Sequence, residues 1–314
     1  MDNLRQAELN ARKGKGNQYG VRVFDRNKES NLQQLHQTLQ SRSFRTSAYR
    51  KFKVFDPKER EVFALPYFPD RILHHAVMIP IEPILNAMFT ADTYSCIKNK
   101  GIHALSYSLR NALKNVEHTK YCLKIDVKKF YPSIDHDILK KQLLRKFKDR
   151  DLLNLLFEII DSADGIPIGN LLSQAFANFY LTPFDHWIKE KLRVKNYFRY
   201  MDDIVIPAAD KKYLHWLLGE IREYWKHELK LIMKENYQVF LVSARGIDVA
   251  GYKHFHGYTL IRSKIKRRFV RMMAHNRNKH SIASYRGWFK HGNCIHLQKK
   301  YLHGNNTNKV IQKP

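Results

Sequence analysis

Residues 197–206 read YFRYMDDIVI, two short apolar runs around the adjacent carboxylates Asp202 and Asp203. Tyr, Phe, Val and Ile favour strands, so the segment predicts a hairpin with the acid pair at its turn. Two carboxylates at a turn are costly unless a cation neutralises them, and Mg²⁺ is the usual hard cation for this purpose. A solvated turn is the alternative interpretation of any isolated Asp-Asp pair.

A further acid lies upstream, in the run LKIDV of residues 123–127. This apolar run predicts a second strand with Asp126 in its middle. Three acids from two strands can hold two metal ions about 4 Å apart, an arrangement that supports phosphoryl transfer. The sequence therefore predicts a two-metal site formed by Asp126, Asp202 and Asp203.

The composition indicates an anionic partner. The 314 residues suffice for about two average domains or one large multi-lobed enzyme. They include 56 Lys and Arg against 29 Asp and Glu, and the net charge of +27 predicts binding to nucleic acid. Seventeen Tyr and eighteen Phe suit the stacking of unpaired bases, although many of these rings must also fill the core.

Other compartments and partners are not favoured by the sequence. No apolar stretch approaches the roughly 18 to 20 residues of a spanning helix, and the N-terminus lacks the apolar core of a secretion signal. We therefore expect no membrane partner. Cys96, Cys122 and Cys294 are odd in number and widely spaced, which predicts reduced thiols in a cytosol.

Periodicity and turn residues predict the elements around the acids. A basic hairpin is expected over residues 49–65, turning at 56–58. Asp70 is expected to cap a helix that stops near Pro80. Further helices are predicted at residues 31–39, 137–147, 152–160, 171–181 and 211–228, with strands near Val239 and Tyr258 and a basic helical tail from Ser263.

The motifs around the acids resemble those of reverse transcriptases, over about residues 49 to 301. The segment DVKKFYPSIDH at residues 126–136 is similar to the first catalytic motif of these polymerases, and YMDD at 200–203 matches the second. Between them, IGNLLSQ at residues 168–174 begins with Ile and has Gln after Ser. In this it resembles the reverse transcriptases of diversity-generating retroelements, as do the segments 246–252 and 281–288. The endonuclease cysteines of some intron proteins and the Val-Thr-Gly signature of retron enzymes are missing.

The resemblance implies an α+β right-hand polymerase fold. An N-terminal extension and the fingers would occupy residues 1–118. A palm of antiparallel sheet and helices, with inserted finger helices, would occupy 119–260, and a helical thumb 261–314. The implied activity is RNA-directed DNA synthesis with two Mg²⁺ ions, for which Mn²⁺ can substitute, in the cytoplasm of a bacterium as a bacterial or phage-encoded enzyme.

The resemblance also assigns roles near the metals and the incoming deoxynucleotide. Asp126 and Asp202 would bridge the ions, Asp203 would complete the cluster, and the Val127 carbonyl would be a further ligand. Tyr131, five residues after Asp126, has the position of the aromatic steric gate that excludes a ribose 2′-OH. An ordinary core tyrosine is the alternative.

Several further residues are assigned to the nucleotide site. The Phe130 backbone N–H would face the triphosphate, and Arg60 resembles the triphosphate-binding arginine, since a guanidinium fork suits phosphate oxygens. Lys53 is a second candidate for that role, and a solvated surface charge is the alternative for both. Lys234 resembles the lysine that protonates leaving pyrophosphate. If the motif is aligned one residue further along, Glu235 takes that position equally well.

Ile168 is the main departure from ordinary reverse transcriptases, which usually have Gln there. Gln174 belongs to the same motif and is assigned to the nucleotide site with it. The absence of a polar side chain weakens discrimination between correct and incorrect pairs. The hypothesis is low fidelity, which in the resembled family is concentrated at template adenines. The alternative is that Ile168 only covers the core.

The basic tail is expected to contact nucleic acid. A cluster at helical spacing suits the backbone of an RNA/DNA duplex, and a solvated basic face is the alternative. Its members are Lys264, Lys266, Arg267, Arg268 and Arg271. The resemblance further implies a retroelement template RNA, mutagenic cDNA directed to a variable gene, and a basic accessory protein that assembles as a barrel-like oligomer.

Two rival functions remain at this point. A retron-like or intron-like reverse transcriptase would share the chemistry without the adenine errors. A non-catalytic RNA-binding or maturation protein would belong to a different class, but it gains nothing from three acids that face phosphate.

Overall fold

A computed structural model describes residues 1–55, 59–275 and 278–302. Its helices are α1 (Asp2–Arg12), α2 (Tyr19–Asp25), α3 (Lys28–Gln40), α4 (Ile72–Met88), α5 (Ile102–Ala112), α6 (His136–Lys146), α7 (Arg150–Asp161), α8 (Leu171–Tyr180), α9 (Thr182–His186), α10 (Lys211–Glu228), α11 (Val242–Arg245), α12 (Ser263–His275), α13 (Lys279–Phe289) and α14 (Ile295–Leu302). Its strands are β1 (Arg50–Phe55), β2 (Glu59–Ala64), β3 (Thr93–Tyr94), β4 (Tyr121–Ile125), β5 (Phe198–Tyr200), β6 (Asp203–Ala208), β7 (Gln238–Leu241), β8 (Ile247–Val249), β9 (Tyr252–His254) and β10 (Thr259–Ile261).

The chain forms two compact units, each assembled from separate stretches of sequence. The first unit comprises Met1–Ile97, Asp126–Lys195 and Gly219–Glu235, and the second comprises Lys98–Ile125, Asn196–Leu218 and the chain from Asn236 onward. The three consecutive regions expected from the sequence, with limits at 118 and 260, stay a prediction. None of the helices in the described residues is long and apolar enough to cross a membrane.

The first unit is mainly helical, and α4 contacts both α1 and α8. Leu73, Val77, Ile81 and Leu85 follow one another at four-residue steps along α4, and all are buried. The helix continues through two prolines to Met88, so the predicted end near Pro80 is wrong. Burial of this apolar face on both sides of the prolines outweighs the hydrogen bonds that proline removes.

The helices α6, α7 and α8 confirm the predictions at 137–147, 152–160 and 171–181. Two aspartates begin the first two of these helices. The Asp135 carboxylate accepts a hydrogen bond from the Ile138 N–H, and the Asp149 carboxylate accepts from the N–H groups of Asp151 and Leu152. Such caps satisfy backbone donors that the first helical turn leaves free.

The basic hairpin predicted at 49–65 is confirmed as β1 and β2. The strands pair antiparallel from Arg50 opposite Ala64 to Phe55 opposite Glu59, and most of their side chains are exposed. The expected turn at 56–58 lies outside the described residues. An exposed basic ribbon of this kind is suited to an anionic ligand.

The second unit contains an antiparallel run of strands in the order β5-β6-β4-β7. Its centre is apolar, because Leu123 of β4 and Ile204, Val205 and Ile206 of β6 are fully buried. The hairpin predicted over 197–206 is therefore confirmed as β5 and β6. Cys96, Cys122 and Cys294 are free thiols, as predicted.

A second small sheet, in the order β10-β9-β8, leads into the helices α12 to α14 of the same unit. Phe269 and Met273 of α12 are buried together with Tyr252 and Phe289 in one apolar cluster. The basic helix predicted from Ser263 is confirmed, and its apolar face packs onto this cluster.

Candidate active site

The acid pair Asp202–Asp203 lies where β5 passes into β6 in the second unit. Tyr200 is the strand partner of Asp203, and Met201 and Asp202 form the turn between them. Asp203, the first residue of β6, directly precedes Ile204, which pairs with Ile125 of β4. The register thus holds the Asp203 backbone at the end of the central strand pair.

The turn is held by a buried arginine that the sequence analysis did not select. Arg199 is 0% exposed, and its Nη1 donates a hydrogen bond of 3.0 Å to the Met201 carbonyl. Met201 has a φ of +55°, a left-handed conformation that a residue with a Cβ adopts only when its surroundings impose it. Arg199 is therefore a positioning residue for the acid pair. The only signal in the sequence is a charge inside an apolar strand.

Lys124 provides a second support for Asp203. Its Nζ lies 3.6 Å from Asp203 Oδ1 and donates a hydrogen bond of 2.5 Å to the carbonyl of Asp248. The carboxylate of Asp248 in turn accepts from Arg262 Nε at 2.7 Å. The charge of Lys124 is thus fixed beside the acid by the β8 backbone. In the sequence, the motif at this strand marks Asp126 and gives no sign of a role for Lys124.

Asp126 belongs to the first unit. The prediction that it lies in the middle of a strand is wrong. The strand β4 ends at Ile125. Beyond it the chain leaves β6 and pairs with residues 232–234. The N–H of Lys234 donates to the carbonyl of Asp126 at 2.9 Å, and Val127, which is buried, bridges Met233. The acid is therefore held at the exit of the strand.

The carboxylate of Asp126 has one cationic partner and one oxygen without a partner. Lys234 Nζ contacts Oδ2, whereas Oδ1 is buried with no hydrogen-bond partner among the described residues. Of the two readings at 234 and 235, it is Lys234 whose side chain contacts Asp126. An orphaned buried carboxylate oxygen fits a hard cation.

No group of three or more His, Cys, Asp or Glu side chains in the described part of the chain is arranged to hold a metal ion. The predicted three-acid site therefore stays a prediction. The donor set fits Mg²⁺ chemically, since it consists of carboxylate oxygens. In this structure the positive charge beside the Asp126 carboxylate comes from the ammonium group of Lys234.

The aromatic pair after Asp126 lies at a turn that a glycine loop covers. Phe130 is buried, and its ring meets that of Tyr131 edge-on with the ring centroids 5.7 Å apart. The carbonyl of Tyr131 accepts a hydrogen bond of 2.9 Å from the N–H of Ile166. Tyr131 is half-buried, so the first unit presents part of its ring to solvent.

The close approach of this loop depends on Gly165. Its φ is +59°, and a Cβ added there would lie 2.6 Å from the Pro132 carbonyl oxygen. We expect Gly165→Ala to lower the free energy of unfolding by about 2 to 4 kcal/mol, from left-handed strain and overpacking together. Urea unfolding followed by circular dichroism measures the change.

Gly219→Ala is the matched control for that variant. Gly219 lies within α10, and a Cβ there would meet nothing within 4 Å. The control should gain about 0.5 to 1 kcal/mol, because alanine favours helix. Equal unfolding midpoints for the two variants would show that the loop does not need its glycine.

Ile168 connects the same loop to the basic hairpin. Its carbonyl accepts a hydrogen bond of 2.8 Å from the N–H of Phe63 in β2. Arg60 lies on the same strand and is exposed, with Val54 as its partner in β1. The first unit therefore joins the strand of Arg60 to Ile168, and through residues 165–166 to Tyr131.

Two other predicted nucleotide residues have different surroundings. Lys53 Nζ pairs with Glu59 at 2.6 Å across the hairpin, which accounts for its charge locally. Gln174 is exposed on α8, and its Oε1 accepts from Cys96 Sγ at 3.3 Å. These contacts leave the assignment of both residues to a nucleotide site as a prediction.

Asp135, at the end of the first motif, is structural. Besides capping α6, its carboxylate pairs with Lys230 at 2.7 Å. Partial burial acts to raise the pKa of Asp135, but hydrogen bonds from Lys230 and the Ile138 N–H outweigh it and lower the pKa below its usual value. The Asp135 carboxylate thus stabilises the first turn of α6 and the contact with Lys230.

The cationic residues predicted in the tail all lie on α12. Lys266, Arg267, Arg268 and Arg271 are exposed, and Lys264 is half-buried. Because Phe269 and Met273 take the apolar side of the helix, most of the charge faces solvent. The helix therefore presents a basic surface, and its contact with a duplex stays a prediction.

Solved structures show the same fold. Telomerase from Candida albicans, in complex with a TWJ fragment of telomeric RNA, resembles this chain with a TM-score of 0.52 at 12% identity, over 71% of this chain and 48% of that one. Telomerase from Candida tropicalis, in complex with the same kind of fragment, gives a TM-score of 0.50 at 12% identity, over 67% and 43%. The α+β right-hand polymerase fold predicted from the sequence is confirmed by this likeness.

The family follows from the sequence match. Residues 55–254 match the family described as reverse transcriptase (RNA-dependent DNA polymerase), and the chain belongs to that family. Retron Ec73 reverse transcriptase of Escherichia coli is 30% identical over 191 residues, 54% of this chain and 58% of its own length. Group II intron-encoded protein LtrA of Lactococcus lactis is 21% identical over 173 residues, 51% and 28%. Protein YkfC of Escherichia coli is 23% identical over 155 residues, 44% and 41%. The chain thus spans less than two thirds of each of these relatives.

Proposed function

We propose that this chain is an RNA-directed DNA polymerase that uses Asp126, Asp202 and Asp203 to bind two Mg²⁺ ions. The pairing of Ile125 with Ile204 is the observation that supports this most strongly. Asp126 follows the first of these residues in the chain, and Asp203 precedes the second. Each of the two sequence motifs therefore adjoins one residue of this strand pair, which supports the proposal that their acids act together.

The bound ions would lower the pKa of the primer 3′-OH and neutralise the triphosphate. The protein's own residues would position the substrates. The guanidinium of Arg60 holds triphosphate oxygens, and the ring of Tyr131 fills the space that a 2′-OH would need. When metal ions and substrate occupy the site, the contact between Lys234 and Asp126 breaks. The ammonium group of Lys234 then donates a proton to the leaving pyrophosphate.

Primer extension tests this function. Full-length protein is incubated with an RNA template, an annealed DNA primer, Mg²⁺ and the four deoxynucleotides. We expect products whose sequence is complementary to the RNA, and none in EDTA. If RNA is bound but no primer is extended under any divalent ion, the non-catalytic RNA-binding protein is the correct alternative.

We further propose that synthesis is error-prone at template adenines, as part of a diversity-generating retroelement. The motif at residues 168–174 supports this, because Ile168 has no side-chain hydrogen bond to offer. The template RNA and the basic oligomeric accessory protein belong to the same proposal. The likeness to Retron Ec73 reverse transcriptase favours a second candidate, a retron-like enzyme of ordinary fidelity.

Ile168→Gln separates the two candidates. We expect it to reduce misincorporation opposite adenine by up to about tenfold, since one hydrogen bond contributes a net of about 0.5 to 1.5 kcal/mol, the upper end of which is that factor. Sequencing of cDNA copied from one defined RNA measures the error at each template base. Ile84→Gln, a half-exposed isoleucine on α4, is the control and should leave the spectrum unchanged. Low adenine error in the wild type would favour the retron-like enzyme.

A further inference from the structure

A separate cavity of about 430 Å³ lies in the second unit, and none of its lining residues belongs to the candidate active site. It is formed by α5, by the turn between β9 and β10, and by the segment that follows α13. Its size is in the range of sites that hold one small organic group. Because it opens to solvent beside exposed side chains, it can receive part of a larger ligand.

The floor of the cavity has an aromatic platform. The rings of Phe255 and Tyr258 stack with their centroids 4.7 Å apart and their planes 13° apart. The N–H of Phe255 donates to the carbonyl of Tyr258 at 2.9 Å, and the Phe255 ring rests against Gly246. Tyr258 is 44% exposed, so the platform is fixed from below and open above. Such a surface suits stacking of a further flat ring.

The walls of the cavity are cationic. Arg110 lies in the last turn of α5, Lys114 follows the end of that helix, and Lys290 follows α13. The Nε of Arg110 is buried and has no hydrogen-bond partner among the described residues. No Asp or Glu occurs among the described residues that line the cavity. Burial lowers the pKa of His291 in the wall, and the charges of Arg110 and Lys290 lower it further.

The walls are also joined to the platform. The N–H of Asn293 donates to the carbonyl of Thr259 at 2.6 Å, which ties the segment after α13 to β10. His291 of that segment stacks on His103 of α5, with the ring centroids 3.9 Å apart. The three parts of the cavity are thus held together without a ligand, and binding would cost little ordering.

We propose that this cavity binds one unpaired nucleotide of an RNA strand. The base stacks on Tyr258, and the phosphates on either side of the nucleotide meet Arg110, Lys114 and Lys290. An aromatic face ringed by cations is how single strands are held without readout of their sequence. Three cationic side chains around one aromatic ring suit the consecutive phosphates of a strand better than one free phosphate ion. The proposal does not depend on polymerase activity, since it concerns residues outside the proposed active site.

Binding of a six-nucleotide single-stranded RNA to the full chain, in EDTA and without deoxynucleotides, tests the platform. We expect Tyr258→Ala to weaken binding about tenfold and Tyr258→Phe to stay within twofold, because stacking needs the ring and not the hydroxyl. An RNA with 5-iodouridine should crosslink to the peptide that contains Phe255 and Tyr258. Equal affinity of the alanine and phenylalanine variants, or crosslinks only elsewhere, would overturn the proposal.

The charge dependence tests the walls. The double variant Lys114→Ala/Lys290→Ala should lower the slope of log K against log salt by about 1.4, at about 0.7 for each phosphate that the protein no longer neutralises. Lys211→Ala/Lys212→Ala removes two exposed lysines from α10 of the same unit and is the matched control. Equal slopes for the two double variants would refute the phosphate contacts. If free UMP at micromolar concentration displaces the RNA, the proposal that the cavity binds a nucleotide within a strand is refuted. The cavity would then be a site for a free mononucleotide.

Discussion

Asp126→Asn is expected to reduce the rate of the first nucleotide addition by about a thousandfold or more. The amide cannot supply the negative charge that holds a metal ion, and such an ion contributes several kcal/mol to the transition state. Single-turnover extension of a labelled primer on an RNA template measures the rate. RNA affinity should stay within about threefold, because Asp126 would bind metal and not RNA.

Folding of this variant should be nearly unchanged. Lys234, which contacts Asp126, is partly exposed, and the amide oxygen can still accept its hydrogen bond. Asp164→Asn, at an exposed acid of the loop before Gly165, is the control and should be fully active. An Asp126→Asn protein within tenfold of the wild-type rate would exclude a catalytic role. Joint loss of folding and activity would identify Asp126 as structural.

Tyr131→Ala is expected to reduce the preference for deoxynucleotides over ribonucleotides by about 100-fold. Removing the ring opens the space where a 2′-OH would lie, so the ribonucleotide gains most. The ratio of kcat/KM for the two sugars, measured with the same base, reports this directly. The deoxynucleotide rate should fall much less than the ratio.

Tyr131→Phe is the matched control because it keeps the ring and removes only the hydroxyl. Its sugar preference should match that of the wild type. If the phenylalanine and alanine variants lose selectivity equally, the hydroxyl acts by a hydrogen bond and the steric interpretation is wrong. If neither variant changes the preference, Tyr131 is a packing residue, the alternative that its sequence leaves open.

Elements with a strong local pattern were predictable from the sequence. The hairpin of β5 and β6 follows from two apolar runs around a polar turn, and α10 was predicted with its observed limits. The end of α4 was mispredicted because proline, which removes a backbone hydrogen bond, was expected to end the helix. Packing of Ile81 and Leu85 in the core decided it instead.

The helices α1 and α2 could not be predicted with the same rules. The sequence of α2 is only seven residues long, and α1 is polar and buries Leu4, Ala7, Glu8 and Ala11. The carboxylate of Glu8 is fully buried, where it pairs with Lys28 at 2.9 Å and accepts from Tyr67 Oη at 2.9 Å. Such contacts join distant parts of the chain, and no periodic pattern marks them.

In the candidate site, the sequence points only to residues that a motif marks. The acids, Tyr131 and Ile168 were selected from their motifs, but the residues that hold them were not. Arg199 fixes the acid turn, and Lys124 lies against Asp203. Both are cations inside apolar strands, whose roles depend on neighbours across the sheet or the turn. That Lys234 and not Glu235 contacts Asp126 likewise depends on the pairing of residues 232–234 with the chain after β4.

Counting bound Mn²⁺ by electron paramagnetic resonance tests the central claim most directly. The wild type and Asp126→Asn are each assembled with an RNA template, a chain-terminated primer and the next deoxynucleotide. We expect two tightly bound ions per chain in the wild type and at most one in the variant, because the Asp126 carboxylate would hold the metal ions and the amide would not. An equal number of bound ions in the two proteins would contradict the two-metal site.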